Sequence, residues 1–127
     1  MIKLFLIDDH PIVVTGIQNA IQEEEDIKVV GTALTAGDGI KQLEHVEVDL
    51  VILDIALPDM DGVELCKYIN KNFQELKIMV LTTYGQVSFV TAMLRNGAMG
   101  YLYKNTSESE LVLAIRKVYQ GGRYLSE

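Results

Sequence analysis

The chain has little of three things, and each scarcity removes a class of function. Cysteine occurs once, at Cys66, which excludes an internal disulfide and a cysteine-based zinc site and suits a reducing, cytoplasmic setting. Basic residues are outnumbered, 11 Lys and Arg against 18 Asp and Glu, for a formal net charge of -7. Proteins that neutralise nucleic-acid phosphates present a basic face, so this chain is a poor nucleic-acid binder by itself. Long apolar runs are missing too. Met1–Ile7 is apolar, but Asp8-Asp9 cuts it off too early for a signal peptide or a membrane span. No repeat or low-complexity tract breaks the 127 residues, a length that fits one domain with a single core.

What is present is an alternation of short apolar runs with amphipathic stretches. Leu4–Ile7, Ile27–Val30, Val48–Leu53, Lys77–Leu81 and Gly100–Tyr103 read as five buried strands. Between them, Pro11 suits a first helical turn, and Val13, Ile17, Ala20 and Ile21 repeat at helical spacing. Thr35–Glu44 is a weaker helix containing Gly37 and Gly39, with Ala36, Ile40 and Leu43 as its apolar positions. Asp61 caps a helix over Val63–Asn70, and Val87–Asn96 is closed by Gly97 as a left-handed C-cap. Ser107 and Glu110 form a capping box for a last helix whose Leu111, Ile115 and Val118 face the core. The acidic run Glu23–Asp26 is a solvated helix end and loop. Strands alternating with helices predict an α/β fold, a doubly wound parallel sheet covered on both faces. After Gly121-Gly122 the chain is expected to stop at Arg123–Glu127 without another element.

Chemistry gathers where the strands end. Asp8-Asp9 follows the first strand, Asp54 the third, Thr82 the fourth and Lys104 the fifth. In an open parallel sheet all these ends share one edge, where ligands bind. Three carboxylates held together there repel one another unless a cation compensates them. Oxygen ligands in a half-open site suit Mg²⁺. A carboxylate can attack phosphorus to give an acyl phosphate, while a lysine and a hydroxyl stabilise the transferring group. His10 beside the acidic pair is read as a loop residue before Pro11, not as a metal ligand or relay. Asp59-Met60-Asp61-Gly62 lacks the later ligands of a calcium loop and is read as loop and cap.

Asp8-Asp9-His10, the stretch Leu53-Asp54-Ile55-Ala56-Leu57-Pro58-Asp59-Met60-Asp61-Gly62, Leu81-Thr82-Thr83 and Gly100-Tyr101-Leu102-Tyr103-Lys104 together resemble a bacterial response-regulator receiver domain, over essentially the whole chain. The resemblance implies a flavodoxin-like (βα)5 fold with strand order 2-1-3-4-5. It implies that Asp54 takes a phosphoryl group from a sensor histidine kinase, making the chain a signalling receiver and not an enzyme beyond its own phosphorylation and dephosphorylation. Asp9 and Asp54 would hold Mg²⁺ with the Ala56 backbone carbonyl, and Asp8 would act largely through water. Lys104 would pair with a phosphate oxygen. Thr82 would shift to the phosphoryl group, with Tyr101 following as a switch. Ala56 and Tyr84 would tune dephosphorylation, Tyr84 by shielding the site.

Asp8-Asp9-His10-Pro11 and Gly121-Gly122-Arg123-Tyr124-Leu125-Ser126 further resemble NarL/FixJ-type regulators, which carry a helix-turn-helix DNA-binding domain. On that reading residues 1–120 are the receiver and 121–127 begin a linker to a DNA-binding domain absent from this chain. Phe89 and Met93 suggest a homodimer through the face of the fourth helix, fifth strand and fifth helix. Asn105 stands where many receivers have a cis proline, so a trans Lys104–Asn105 bond or a local rearrangement is expected. Two other classes compete. An aspartyl phosphatase of the haloacid-dehalogenase type would place Asp-x-Asp after the first strand. A flavin or nucleotide module needs a Gly-rich or Ser-rich phosphate loop there, and Asp8-Asp9-His10-Pro11 is acidic instead. A receiver that signals without phosphorylation would not need the side chains present here.

Overall fold

The computed structural model describes residues 1–83 and 87–126. Strands and helices alternate as β1 (Ile2–Ile7), α1 (Pro11–Ile21), β2 (Ile27–Ala33), α2 (Ala36–Leu43), β3 (Leu50–Asp54), α3 (Gly62–Asn72), β4 (Lys77–Thr82), α4 (Val87–Arg95), β5 (Ala98–Tyr103), α5 (Glu108–Tyr119) and β6 (Tyr124–Leu125). The sheet order is β2-β1-β3-β4-β5-β6, parallel throughout. The reversal of order between β1 and β3 opens the crevice in which such folds bind ligands.

The central strands are apolar because both of their faces are covered. Leu4, Leu6, Leu50, Ile52, Met79 and Leu81 pack under α1 and α5, with Ile17, Leu111, Ile115 and Val118. Phe5, Ile7, Val51, Leu53, Ile78 and Val80 pack on the other face with α2, α3 and α4, among Leu43, Leu65, Ile69 and Met93. On α1 the buried residues are Val14, Ile17 and Ile21, with Val13 and Ala20 half-buried against the same cluster. Met93 is fully buried while Phe89 is 43% exposed, so of the two only Phe89 belongs to a surface patch.

Local signals set the helix ends. The hydroxyl of Ser107 accepts from the Glu110 amide at 3.1 Å, and Asp61 accepts from the Val63 amide at 2.6 Å. Gly97, at φ 108°, closes α4 in the left-handed region as expected. The Lys104–Asn105 bond is trans.

The expectation of five strands with an inert tail needs correction. Tyr124–Leu125 forms a sixth strand, pairing with Gly100 and Tyr101 of β5. Gly100 makes this approach possible: a Cβ there would lie 2.7 Å from the Tyr124 carbonyl oxygen. The Ser126 amide donates to the Tyr101 carbonyl at 3.2 Å, and the Tyr101 hydroxyl donates to the Ser126 carbonyl. Two residues are too short a run to show strand periodicity in a sequence.

Candidate phosphoacceptor site

The C-terminal edge of the sheet collects the reactive side chains because of register. Ile7 of β1 pairs with Leu53 of β3, so Asp8 and Asp54 stand side by side at the ends of neighbouring strands. Asp54 pairs with Leu81, and Thr82 with Tyr103, which places Lys104 one residue past the end of β5. The Lys104 amide donates to the Thr82 carbonyl at 3.0 Å and fixes where that side chain departs. All five predicted groups therefore lie at one edge.

Asp8 and Asp54 are each only 2% exposed. Lys104 Nζ lies 3.1 Å from Asp54 Oδ2 and 3.5 Å from Asp8 Oδ2. The first distance makes an ion pair without the alignment of a hydrogen bond, and Asp8 Oδ2, Asp9 Oδ1 and Asp54 Oδ2 are buried oxygens with no hydrogen-bond partner. Burial, and then the neighbouring Asp8 charge, push the Asp54 carboxyl above the usual carboxylate range; Lys104 and the Ala56 amide pull it back only in part. Orphaned carboxylate oxygens in such a place fit a hard divalent cation, and Asp8, Asp9, His10 and Asp54 each offer one donor atom within 4.8 Å of the others.

The loop after β3 is held from both sides. The Ala56 amide donates to Asp54 Oδ1 at 3.3 Å, and Ala56 bridges to Asp61. Asp59 accepts from the Ala36 and Gly37 amides, at 2.8 and 2.9 Å, at the start of α2, and these bonds lower its carboxyl below the usual range. Asp59 thus ties the loop carrying Ala56 to a helix on another strand's crossover. The pattern-based reading assigned Asp59 to a loop only, since its partners lie more than twenty residues away.

Thr82 is buried, its hydroxyl donating to the Thr83 carbonyl at 3.0 Å. Tyr101 lies half-buried on β5 opposite Val80, its ring edge-on to Tyr103 with centroids 6.0 Å apart. Tyr84 lies outside the described residues.

The sequence places His10 in the loop before Pro11. It does occupy the N-cap position of α1, ahead of Pro11. Its side chain is 55% exposed, with Nδ1 2.9 Å from Asp8 Oδ1, 3.0 Å from Asp9 Oδ1 and 3.4 Å from Asp54 Oδ2. The available signal was Pro11, which pins α1 at its first turn directly behind the Asp pair.

The family model for the response regulator receiver domain matches residues 4–116. The chain belongs to this family. It is 36% identical over 124 residues to the oxygen regulatory protein NreC of Staphylococcus haemolyticus (strain JCSC1435), covering 97% of this chain and 57% of that protein. The chain therefore spans little more than half the length of that relative. Among solved structures, the isolated receiver domain of RcsB from Salmonella enterica serovar Typhimurium, in the presence of the phosphomimetic BeF3-, superposes with a TM-score of 0.91 at 29% identity, covering 99% of this chain and 94% of that one. A LuxR-family two-component response regulator from Aurantimonas sp. SI85-9A1 gives a TM-score of 0.89 at 31% identity, covering 98% and 89%. The receiver fold is the one observed, with order 2-1-3-4-5 extended by the short β6. The acidic cluster of this receiver, Asp8, Asp9 and Asp54, fits a phosphoacceptor site. No helix among the described residues is long and apolar enough to cross a membrane.

Proposed function

We propose that this receiver takes a phosphoryl group onto Asp54 from the phosphohistidine of a sensor histidine kinase. A carboxylate oxygen of Asp54 attacks phosphorus, the phosphorus–nitrogen bond breaks, and the imidazole leaves with the bonding pair. The observation that carries this reading is the pairing of buried Asp54 with Lys104 at 3.1 Å, beside carboxylate oxygens of Asp8 and Asp9 that accept no hydrogen bond. Lys104 reaches the edge where the phosphoryl oxygens arrive and offsets their charge. Asp9 and Asp54, with the Ala56 carbonyl, would hold Mg²⁺, and Asp8 would act through water. Bound there, the ion supplies Lewis-acid stabilisation of the phosphoryl oxygens.

Thr82 and Tyr101 serve as the switch. The Thr82 hydroxyl, now spent on the Thr83 carbonyl, turns to a phosphoryl oxygen, and Tyr101 follows toward the space it leaves. Ala56 has no side chain able to orient an attacking water, which favours a long-lived acyl phosphate, and Tyr84 is assigned the shielding role. Catalysis is confined to the chain's own phosphorylation and dephosphorylation.

In this reading residues 1–120 are the receiver and 121–127 begin the linker to a helix-turn-helix DNA-binding domain, in a cytoplasmic regulator of the NarL/FixJ type. The greater length of NreC and the likeness to a LuxR-family regulator support it. A phosphorylation-linked homodimer through α4, β5 and α5 is part of the same proposal, with Phe89 exposed on that face. Identical sedimentation with and without BeF3- would remove the dimer. The central test is incubation with acetyl phosphate and Mg²⁺ followed by mass measurement. A phosphoryl adduct on the wild type that is absent from Asp54→Asn is expected; an adduct on both would overturn the assignment of Asp54.

A further inference from the structure

We infer that β6 is a latch on the switch. The bond from the Tyr101 hydroxyl to the Ser126 carbonyl holds Tyr101 outward, so pairing of the tail and phosphorylation of Asp54 oppose each other. The inference rests on reading Thr82 and Tyr101 as the switch, and adds the element that restrains it.

The sheet order carries the argument. β5 lies between β4 and β6, so Tyr101 has Thr82 on one side and the tail on the other. Val80 and Thr82 pair with Tyr101 and Tyr103, which puts all four side chains on one face of the sheet. On that face Tyr101 packs against the cluster containing Val80, Val90 and Met93. Its hydroxyl leans away from β4 and donates to the Ser126 carbonyl, just past β6. Neighbouring strands stand ~4.8 Å apart, so one hydroxyl cannot serve Ser126 and also lie against β4. Movement toward Thr82 therefore breaks the bond to the tail.

The tail is lightly held. β6 has two residues, Tyr124 and Leu125, paired with Gly100 and Tyr101. Tyr124 packs partly buried against the core beneath α5, whereas Leu125 is 49% exposed. The Ser126 amide donates to the Tyr101 carbonyl at 3.2 Å. Tyr101 thus grips Ser126 twice, through its carbonyl and through its hydroxyl. Upstream, Gly121 at φ 93° turns the chain out of α5, and the Gly122 amide donates to the Lys117 carbonyl at 3.0 Å. That turn is a fixed point from which the strand can leave. A short element with little buried area opens locally at small cost. Linkage makes the effect reciprocal: what inward Tyr101 costs the tail, the tail costs the phosphoryl group. If residues 121–127 begin a linker, the latch converts a change at Asp54 into a change in where the following chain departs.

The test follows the wild-type chain in Mg²⁺ by NMR, before and after adding BeF3-. The Thr82 methyl should shift, and amide exchange at Ser126 should rise while that of β1 and β3 does not. Ser126→Pro removes the amide that bonds Tyr101 and cannot continue the strand. By calorimetry it should bind BeF3- about 2- to 10-fold tighter, the factor that one hydrogen bond contributes. Tyr101→Phe loses only the hydroxyl and should raise Ser126 exchange without BeF3-. A shifted Thr82 methyl with unchanged protection at Ser126 would overturn the latch. Equal BeF3- affinity in wild type and Ser126→Pro would do the same. A Thr82 methyl indifferent to bound BeF3- would instead remove the switch reading, and the latch with it.

Discussion

Lys104 Nζ stands 3.1 Å from Asp54 Oδ2 and 3.5 Å from Asp8 Oδ2, one ammonium shared by two buried carboxylates from neighbouring strands. The arrangement limits how far burial raises the proton affinity of Asp54. Replacing Lys104 with methionine keeps the stem and removes the charge. The Asp54 carboxyl should then move further above the ordinary carboxylate range, read by carbon NMR of the side chain. Phosphorylation by acetyl phosphate should slow by about a hundredfold, the scale of losing one charge-stabilising group in a transition state. An unchanged rate would remove Lys104 from the mechanism.

Asp54 should lower the stability of the metal-free fold at neutral pH. Burial and the Asp8 charge raise its carboxyl above the ordinary carboxylate range in the folded chain, so the folded state holds that proton more tightly than the unfolded one. Stability therefore falls as pH rises through the folded value and recovers as pH drops back through it. Asp54→Asn in EDTA should melt several degrees above wild type at pH 7, and the gap should close toward pH 4. A gap that stays constant with pH would mean that the carboxyl charge is not its cause.

Gly100 is the position that admits β6. A methyl group there would meet the Tyr124 carbonyl oxygen at 2.7 Å and a Val118 methyl at 3.3 Å. Gly100→Ala should cost about 1–3 kcal/mol, the usual penalty for overpacking. Amide exchange at Ser126, whose N–H bonds the Tyr101 carbonyl, should rise well beyond the global change. Equal loss of protection throughout the sheet would argue against a local displacement of β6.

Ser107 caps α5 through a single hydroxyl acceptor, 3.1 Å from the Glu110 amide. Ser107→Ala should destabilise the chain by about 1 kcal/mol in urea unfolding, with the slope unchanged because the same surface is exposed. Ser107→Asp should restore most of it. Failure of the aspartate to rescue would show that the hydroxyl acts otherwise than as a cap.

Sequence by itself determined the alternation of elements, their caps and the chemistry at the strand ends. Those signals are local: period, capping residue, or a polar group ending an apolar run. A buried strand such as Leu50–Asp54 and a cap such as Ser107 are written within a few positions. Parallel topology then sends Asp8, Asp54, Thr82 and Lys104 to one edge, because strands joined by helical crossovers all point the same way. Only the tertiary structure decided where Asp59, Tyr124 and His10 went. Asp59 bonds amides at Ala36 and Gly37, Tyr124 pairs with Gly100, and the His10 ring meets Asp54 across two strands. Each depends on partners distant in the chain, and closing such loops leaves no periodic trace. His10 illustrates the difference most clearly: the sequence set it beside two carboxylates, and the fold supplied the third.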